Sequence, residues 1–308
     1  MTPAPPPAPE SASVLAIIVS YQPDPARLRA LLESVVKQVT RVVVIDNGSG
    51  PETVQHLRAM KARLDVDLIG FEHNRGIAAA HNAGIRLAKE RQDHYVLLLD
   101  HDSCLEAGCV AALLRAHQQL SAAGVRLAAV GPQYRDETSG MPAPFLRYTG
   151  WRSLKVYPRN ALDMVEASVL ISSGSLIAIE TLDALGGMDE SLFVDGVDWD
   201  WCFRASASGY HLVGVGAACM THSLGDSGLR ILRWVIPLHS PVRHYYAYRN
   251  AILLCQRATV PLAWKIHFTV RLLIRFAIYM VLAPQRLQRA RYIRRGVVDG
   301  LRGCGGPL

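Results

Sequence analysis

The strongest constraint on the fold is a repeated alternation in the first third of the chain, in which a short branched apolar run ends in polar residues and leads into a helical pattern. VLAIIVS at 14–20 ends at Tyr21 and the turn-like Gln22-Pro23-Asp24-Pro25. The spacing of Leu28, Leu31, Leu32 and Val35 predicts a helix over 26–37. Strands are predicted over 42–45, 66–70 and 95–99, and helices over 52–63 and 77–89. This order predicts an α/β fold with a mostly parallel sheet flanked by helices. Ligands of such sheets sit beyond the carboxyl ends of the strands. Those ends carry Ser20-Tyr21, Asp46-Asn47, Glu72 to Asn74 and Asp100 to Ser103.

The second half is less regular. Residues 131–161 are turn-rich and predict a loop or hairpin region over the site. A strand over 169–179 is broken at 172–175, and a short helix is predicted over 182–187. A helix over 198–208 would turn Trp201, Cys202 and Ala205 inward, before a last strand over 210–216. Beyond His222 the chain reads as basic, aromatic helices. Three parts are expected: a disordered Pro/Ala-rich lead over 1–12, a catalytic domain over 13–228 and a basic helical region over 229–308.

The lead lacks the basic head and apolar core of a signal peptide, so a cytoplasmic protein is expected. Six cysteines lack paired CxxC spacing, which predicts reduced structural thiols instead of a zinc site or disulfides. The net charge of +7 is uneven: residues 229–308 carry +13 and the remainder −6. A basic tail on an acidic domain predicts an anionic partner.

Asp100-His101-Asp102 ends an apolar strand, where two carboxylates one residue apart can converge on a hard divalent cation that also holds phosphate. Outside that position, such triplets are usually solvated loops. Asp195, Asp198 and Asp200 cluster beside two tryptophans at a helix start. One can cap the helix, but three exceed what capping needs, so a general base is a candidate. His222 follows a strand and is either a structural histidine or a third metal ligand. Asp46 is either a turn residue or an acceptor for a nucleobase or ribose. Asn74-Arg75-Gly76 precedes a helix whose amides can face phosphate.

The segments VSYQPD, VVVIDNGS, NRGIAAAHNAGI, LLLDHDS, FVDGVDWDWCFRA, THSLGD and RHYYAYRN, in this order, resemble the inverting glycosyltransferases of family two, which have the GT-A fold. Within them the set is similar to bacterial rhamnosyltransferases of cell-surface polysaccharide synthesis. The resemblance covers about residues 14–303. It implies transfer of L-rhamnose from dTDP-L-rhamnose, with Mg²⁺ or Mn²⁺, to a saccharide or polyprenyl-diphosphate-linked glycan. It implies nucleotide contacts from Tyr21, Asp46, Asn74, Arg75 and Asn82, and metal ligation by Asp100, Asp102 and His222. Asp198 matches the base and Asp200 its acidic partner, with Asp195 the alternative base. Arg243, Tyr245, Tyr246, Arg249 and Asn250 match a segment near the donor diphosphate or a lipid-linked acceptor. His101 stands where relatives often have Gln, and Asp200 where Glu is frequent. Residue chemistry alone does not separate rhamnose from galactofuranose or another hexose, and a non-catalytic sugar-nucleotide binder remains the alternative.

Residues 262–282 form a long apolar run interrupted by Lys265, Arg271 and Arg275. Each charge would cost about 2.5–3.5 kcal/mol at mid-bilayer. The run therefore predicts a helix lying in an anionic membrane surface on the inner face of the plasma membrane, or one packed on the domain. Nucleic acid is not an expected partner, because the clustered acids would repel it. A phosphatase would place its DxD near the chain start, and a nucleotidyltransferase would have a Gly-rich basic loop where Tyr21-Gln22-Pro23-Asp24 stands.

Overall fold

The computed structural model describes residues 12–137, 140–222, 228–231 and 234–308. The predicted lead lies almost wholly outside these residues. The first half is β1 (Val14–Ser20), α1 (Pro25–Val35), β2 (Arg41–Asp46), α2 (Pro51–Lys61), β3 (Asp67–Gly70), α3 (Ile77–Glu90) and β4 (Tyr95–Asp100). Local chemistry sets these boundaries. Pro25 presets the first turn of α1, and the Asp24 carboxylate accepts from the backbone N–H groups of Ala26 and Arg27. The buried face of α1 is the predicted one, Leu28, Leu31, Leu32 and Val35. β1 is buried along its whole length, as a strand covered on both faces must be.

The chain continues through β5 (Ser103–Leu105), α4 (Cys109–Ala122), β6 (Leu127–Asp136), the hairpin β7 (Phe145–Thr149) and β8 (Arg152–Val156), and β9 (Met164–Ala167). β10 (Leu176–Ala178), α5 (Ile179–Leu185), α6 (Val197–Ala207) and β11 (His211–His222) complete the main sheet and its cover. A hairpin of β12 (Gly228–Ile231) and β13 (Trp234–Pro237) precedes α7 (Pro241–Gln256), α8 (Leu262–Leu282) and α9 (Arg286–Leu301).

The sheet runs β3-β2-β1-β4-β10-β6-β11-β5, with β9 also on β11. The β3-β2-β1-β4 half is parallel, and β10 is antiparallel to both neighbours. One apolar cluster between α1, α4 and the sheet fills one face. The other face joins α3 and α6 to Leu253, Leu254 and Trp264, so the C-terminal helices share its core.

Several expectations change. The turn-rich 131–161 segment contains the expected hairpin, but its start belongs to β6, a ten-residue strand. Only Leu176–Ala178 of the predicted 169–179 strand is a strand, because Gly174 at φ +86° turns the chain there. α4 and β6 complete the layer, although the sequence pattern does not mark them. The last strand extends six residues past Gly216, to His222. A register shift between Val215 and Cys219 makes this possible. Such a bulge bends the strand and re-aims its final residues, so β11 pairs β9 first and β5 afterwards.

Candidate active site

The turn after β4 leads straight into β5, which pairs antiparallel with the end of β11 (His222 opposite Ser103), and this brings the acids of the turn to the imidazole. Ligand atoms of Asp100, Asp102 and His222 lie within 4.8 Å of one another. His222 Nδ1 is 3.4 Å from Asp102 Oδ1 and 2.9 Å from Ser103 Oγ. Ser173 Oγ lies 2.7 Å from Ser103 Oγ and accepts from the Asp100 N–H. These serines fix both ends of the triplet. Burial and the adjacent Asp102 carboxylate raise Asp100 above the usual carboxylate range, against the pull of His222. Asp102 Oδ1 is buried without a hydrogen-bond partner. An orphaned carboxylate oxygen beside a second acid and an imidazole fits a divalent cation, which supplies the missing charge. This cluster can hold a metal ion.

The ends of β1 and β2 form a ledge with residues 73–75. Asn47 Oδ1 accepts from the Arg75 N–H, and Asp46 Oδ2 from that of Ser49. Gly48 has φ +82°, and a Cβ there would collide with the His73 carbonyl carbon. Only glycine permits that approach. Ser20 Oγ and Asp46 Oδ1 are buried without partners on the same edge. Tyr21 is 41% exposed beside them, and Arg75 lies over the Phe71 ring at 4.8 Å. Tyr21 and Asp46 thus lie at the ends of adjacent strands, with Asn74 and Arg75 beside the Asp46-Asn47 turn.

Asp198 begins α6, where its Oδ1 accepts from the Trp199 N–H. Burial first, then Asp100 and Asp195, push it up to about 7, despite that hydrogen bond. Its neighbour Asp195 sits at φ +61° and pairs with Arg243 at 2.9 Å. Phe193 is also left-handed, at φ +63°. Two such residues in one loop are strained and need external restraint. Asn250 Nδ2 provides it, donating to the carbonyls of Leu192, Val194 and Asp195.

Four residues expected at the site, Arg249, Tyr246, Asn82 and Asp200, make structural contacts around this loop and α6. Arg249, expected near the donor diphosphate, is fully buried and donates to the carbonyls of Ser191, Leu192 and Gly306. Tyr246 stacks on Phe193 at 4.8 Å, and its hydroxyl accepts from the Leu308 N–H. Asn82, expected by the nucleotide, bonds both backbone groups of Met188 and Glu190 Oε1. Asp200, expected as the acidic partner of the base, is fully buried between Arg204 and Arg257, and Arg257 also binds Asp189. Its role in the structure is to hold the first turn of α6. Arg257→Ala would leave that carboxylate with Arg204 alone. We expect a loss of about 3 kcal/mol in urea unfolding, the low end for breaking a buried ion pair because one partner remains.

A cavity of about 290 Å³ is lined by Asp100, Asp195 and Asp198 and by Arg243, Arg271 and Arg275. Arg271 and Arg275 were legible in the sequence only as interruptions of an apolar run. Ser173 was part of the break at 172–175, which marked it without giving its use.

Residues 15–180 match glycosyl transferase family 2. The chain is 31% identical over 298 residues to the dTDP-rhamnosyl transferase RfbF of Shigella flexneri, covering 96% of this chain and 98% of that protein. Among solved structures it resembles GalNAc-T7 with UDP, GalNAc and Mn²⁺ (TM-score 0.58, 14% identity, 90% of this chain and 59% of that chain). It also resembles the mannosyltransferase PcManGT from Pyrobaculum calidifontis with GDP-Man and Mn²⁺ (TM-score 0.55, 16% identity, 94% of this chain and 86% of that chain). At such identities the likeness shows the fold, which is GT-A.

Proposed function

Since this chain belongs to glycosyl transferase family 2 and is a glycosyltransferase, we propose that it moves L-rhamnose from dTDP-L-rhamnose onto a saccharide or polyprenyl-diphosphate-linked glycan in cell-surface polysaccharide synthesis. The name of the Shigella flexneri relative, matched over nearly the whole of both chains, supports the donor. The observation that carries the reaction is one cavity shared by Asp198 and Asp100.

Asp198 takes the proton of an acceptor hydroxyl, as a carboxyl pushed up to about 7 can near neutral pH. The freed oxygen forms a bond to the anomeric carbon on the face opposite the nucleotide. The bond from that carbon to the diphosphate oxygen breaks, so configuration inverts. Asp100, Asp102 and His222 would hold Mg²⁺ or Mn²⁺, which when bound would supply positive charge for the departing diphosphate. Ser103 and Ser173 keep those ligands in place. Tyr21, Asp46, Asn74 and Arg75 take the nucleotide, and Arg243, fixed by Asp195, faces the reacting groups.

We place the enzyme in the cytoplasm, peripheral on the inner face of the plasma membrane. Among the described residues no helix is long and apolar enough to cross a membrane. α8 nevertheless exposes Val270, Leu273 and Ile274 at 50%, 63% and 56%, which suits an interfacial helix.

A donor panel of dTDP-rhamnose, UDP-galactofuranose, UDP-hexoses and GDP-mannose, read by nucleotide release with Mg²⁺, tests the assignment. Release from dTDP-rhamnose in preference to the others is expected. Preference for another donor would remove rhamnose and leave the chemistry. Release from none would favour a non-catalytic sugar-nucleotide binder.

A further inference from the structure

We propose that Arg271 and Arg275 form a second anion site, on the acceptor side of the cavity, which takes the phosphate of a lipid-borne acceptor. This deepens the glycosyltransferase reading above and rests on it.

The two arginines stand four residues apart on α8, one turn from each other, and both line the cavity that contains Asp198. Like charges at this spacing repel. Burial and the neighbouring Arg275 pull the Arg271 guanidinium below its ordinary range. Arg243, which lines the same cavity, is matched by Asp195. Arg271 and Arg275 are not matched: neither makes an ion pair or hydrogen bond among the described residues. The pair is therefore poised for an anion from outside, and guanidinium groups suit phosphate oxygens.

The donor diphosphate does not need this pair, because the Asp100, Asp102 and His222 cluster brings its own cation. The acceptor hydroxyl has to reach Asp198, which shares the cavity with both arginines. A second anionic group at α8 then belongs to the acceptor. The other side of the same helix selects the source of that phosphate. Leu262, Ile266, Val270, Leu273, Ile274 and Val281 are exposed there without a charge among them. A hydrocarbon chain lying along that stripe brings its phosphate to the arginines, whereas a free anionic saccharide has no use for it.

The test measures binding of farnesyl diphosphate, farnesol and inorganic pyrophosphate to the full chain in EDTA, where no cation can hold phosphate. Farnesyl diphosphate should bind about tenfold or more tightly than either of the others. Arg271→Gln with Arg275→Gln should lose about tenfold for farnesyl diphosphate and keep wild-type Mn²⁺-dependent binding of dTDP. The corresponding double lysine variant should recover part of the loss, which a folding defect would not allow. Unchanged farnesyl diphosphate binding in the glutamine variant overturns the site. An equal loss of dTDP binding overturns it too, by giving the arginines to the donor. Pyrophosphate binding as tight as farnesyl diphosphate overturns the lipid source. Failure of wild-type protein to bind dTDP with Mn²⁺ would instead count against the dTDP-sugar donor proposed above.

Discussion

Asp198→Asn is expected to lower turnover by about two to four orders of magnitude, the range for loss of a general base, while donor affinity stays near wild type. Steady-state nucleotide release and dTDP titration with Mn²⁺ separate the two effects. Near-normal turnover would move the base to Asp195. The same carboxyl sets a pH dependence. With Asp198 pushed up to about 7, kcat/KM should rise with pH through that region as the proton leaves. The stability effect has the opposite sign. Below 3.8 folded and unfolded chains both hold the proton; between 3.8 and about 7 only the folded chain does; above that neither does. Stability is therefore greatest at the acid end of this window and falls as pH rises through it, by at most about 4 kcal/mol. The asparagine variant should lack this slope. At pH 8 it should melt at a higher temperature than wild type, a gain that accompanies the loss of turnover.

Chelation should abolish nucleotide release, and Mn²⁺ or Mg²⁺ should restore it; full activity in EDTA would remove the metal from the mechanism. Asp102→Ala, which deletes the orphaned oxygen at the triplet, should weaken Mn²⁺-dependent dTDP binding by more than about 100-fold. Ser103→Ala removes a hydrogen-bond partner of His222 and Ser173 but no candidate ligand atom, and should cost about 10- to 100-fold, the range for outer partners of metal ligands. The order of these two losses is the informative result. Equal losses would mean that Asp102 is not a direct ligand.

The positions of the strand-end residues were legible in the sequence because their cause is local. A buried parallel strand must end where polar residues begin, and Asp46, Asp100 and Asp102 mark those ends themselves. The candidate base was marked for a similar reason, since three acids at one helix start exceed what a cap requires. The work of Asp200, Arg249, Tyr246 and Asn82 was not legible. Their partners are remote in the chain: Arg257 for Asp200, Gly306 for Arg249, Leu308 for Tyr246 and Met188 for Asn82. Residue type places such a group near the site, but only the packing decides whether it faces the cavity or the loop behind it. Asp200 and Asp198 lie two residues apart on one helix, which turns one into the core and leaves the other at the cavity.

The bulge in β11 makes chain length itself a determinant of where His222 stands beside Asp100 and Asp102. Residues 216–218 have no counterparts on β6, and pairing resumes at Cys219, three positions before His222. Side chains alternate along a strand, so a deletion here that shifted the paired register of Cys219–His222 by one residue would turn the imidazole to the opposite face while leaving Asp100 and Asp102 in place. Variants differing there by insertion or deletion would diverge in cation dependence while retaining every acid that the sequence displays.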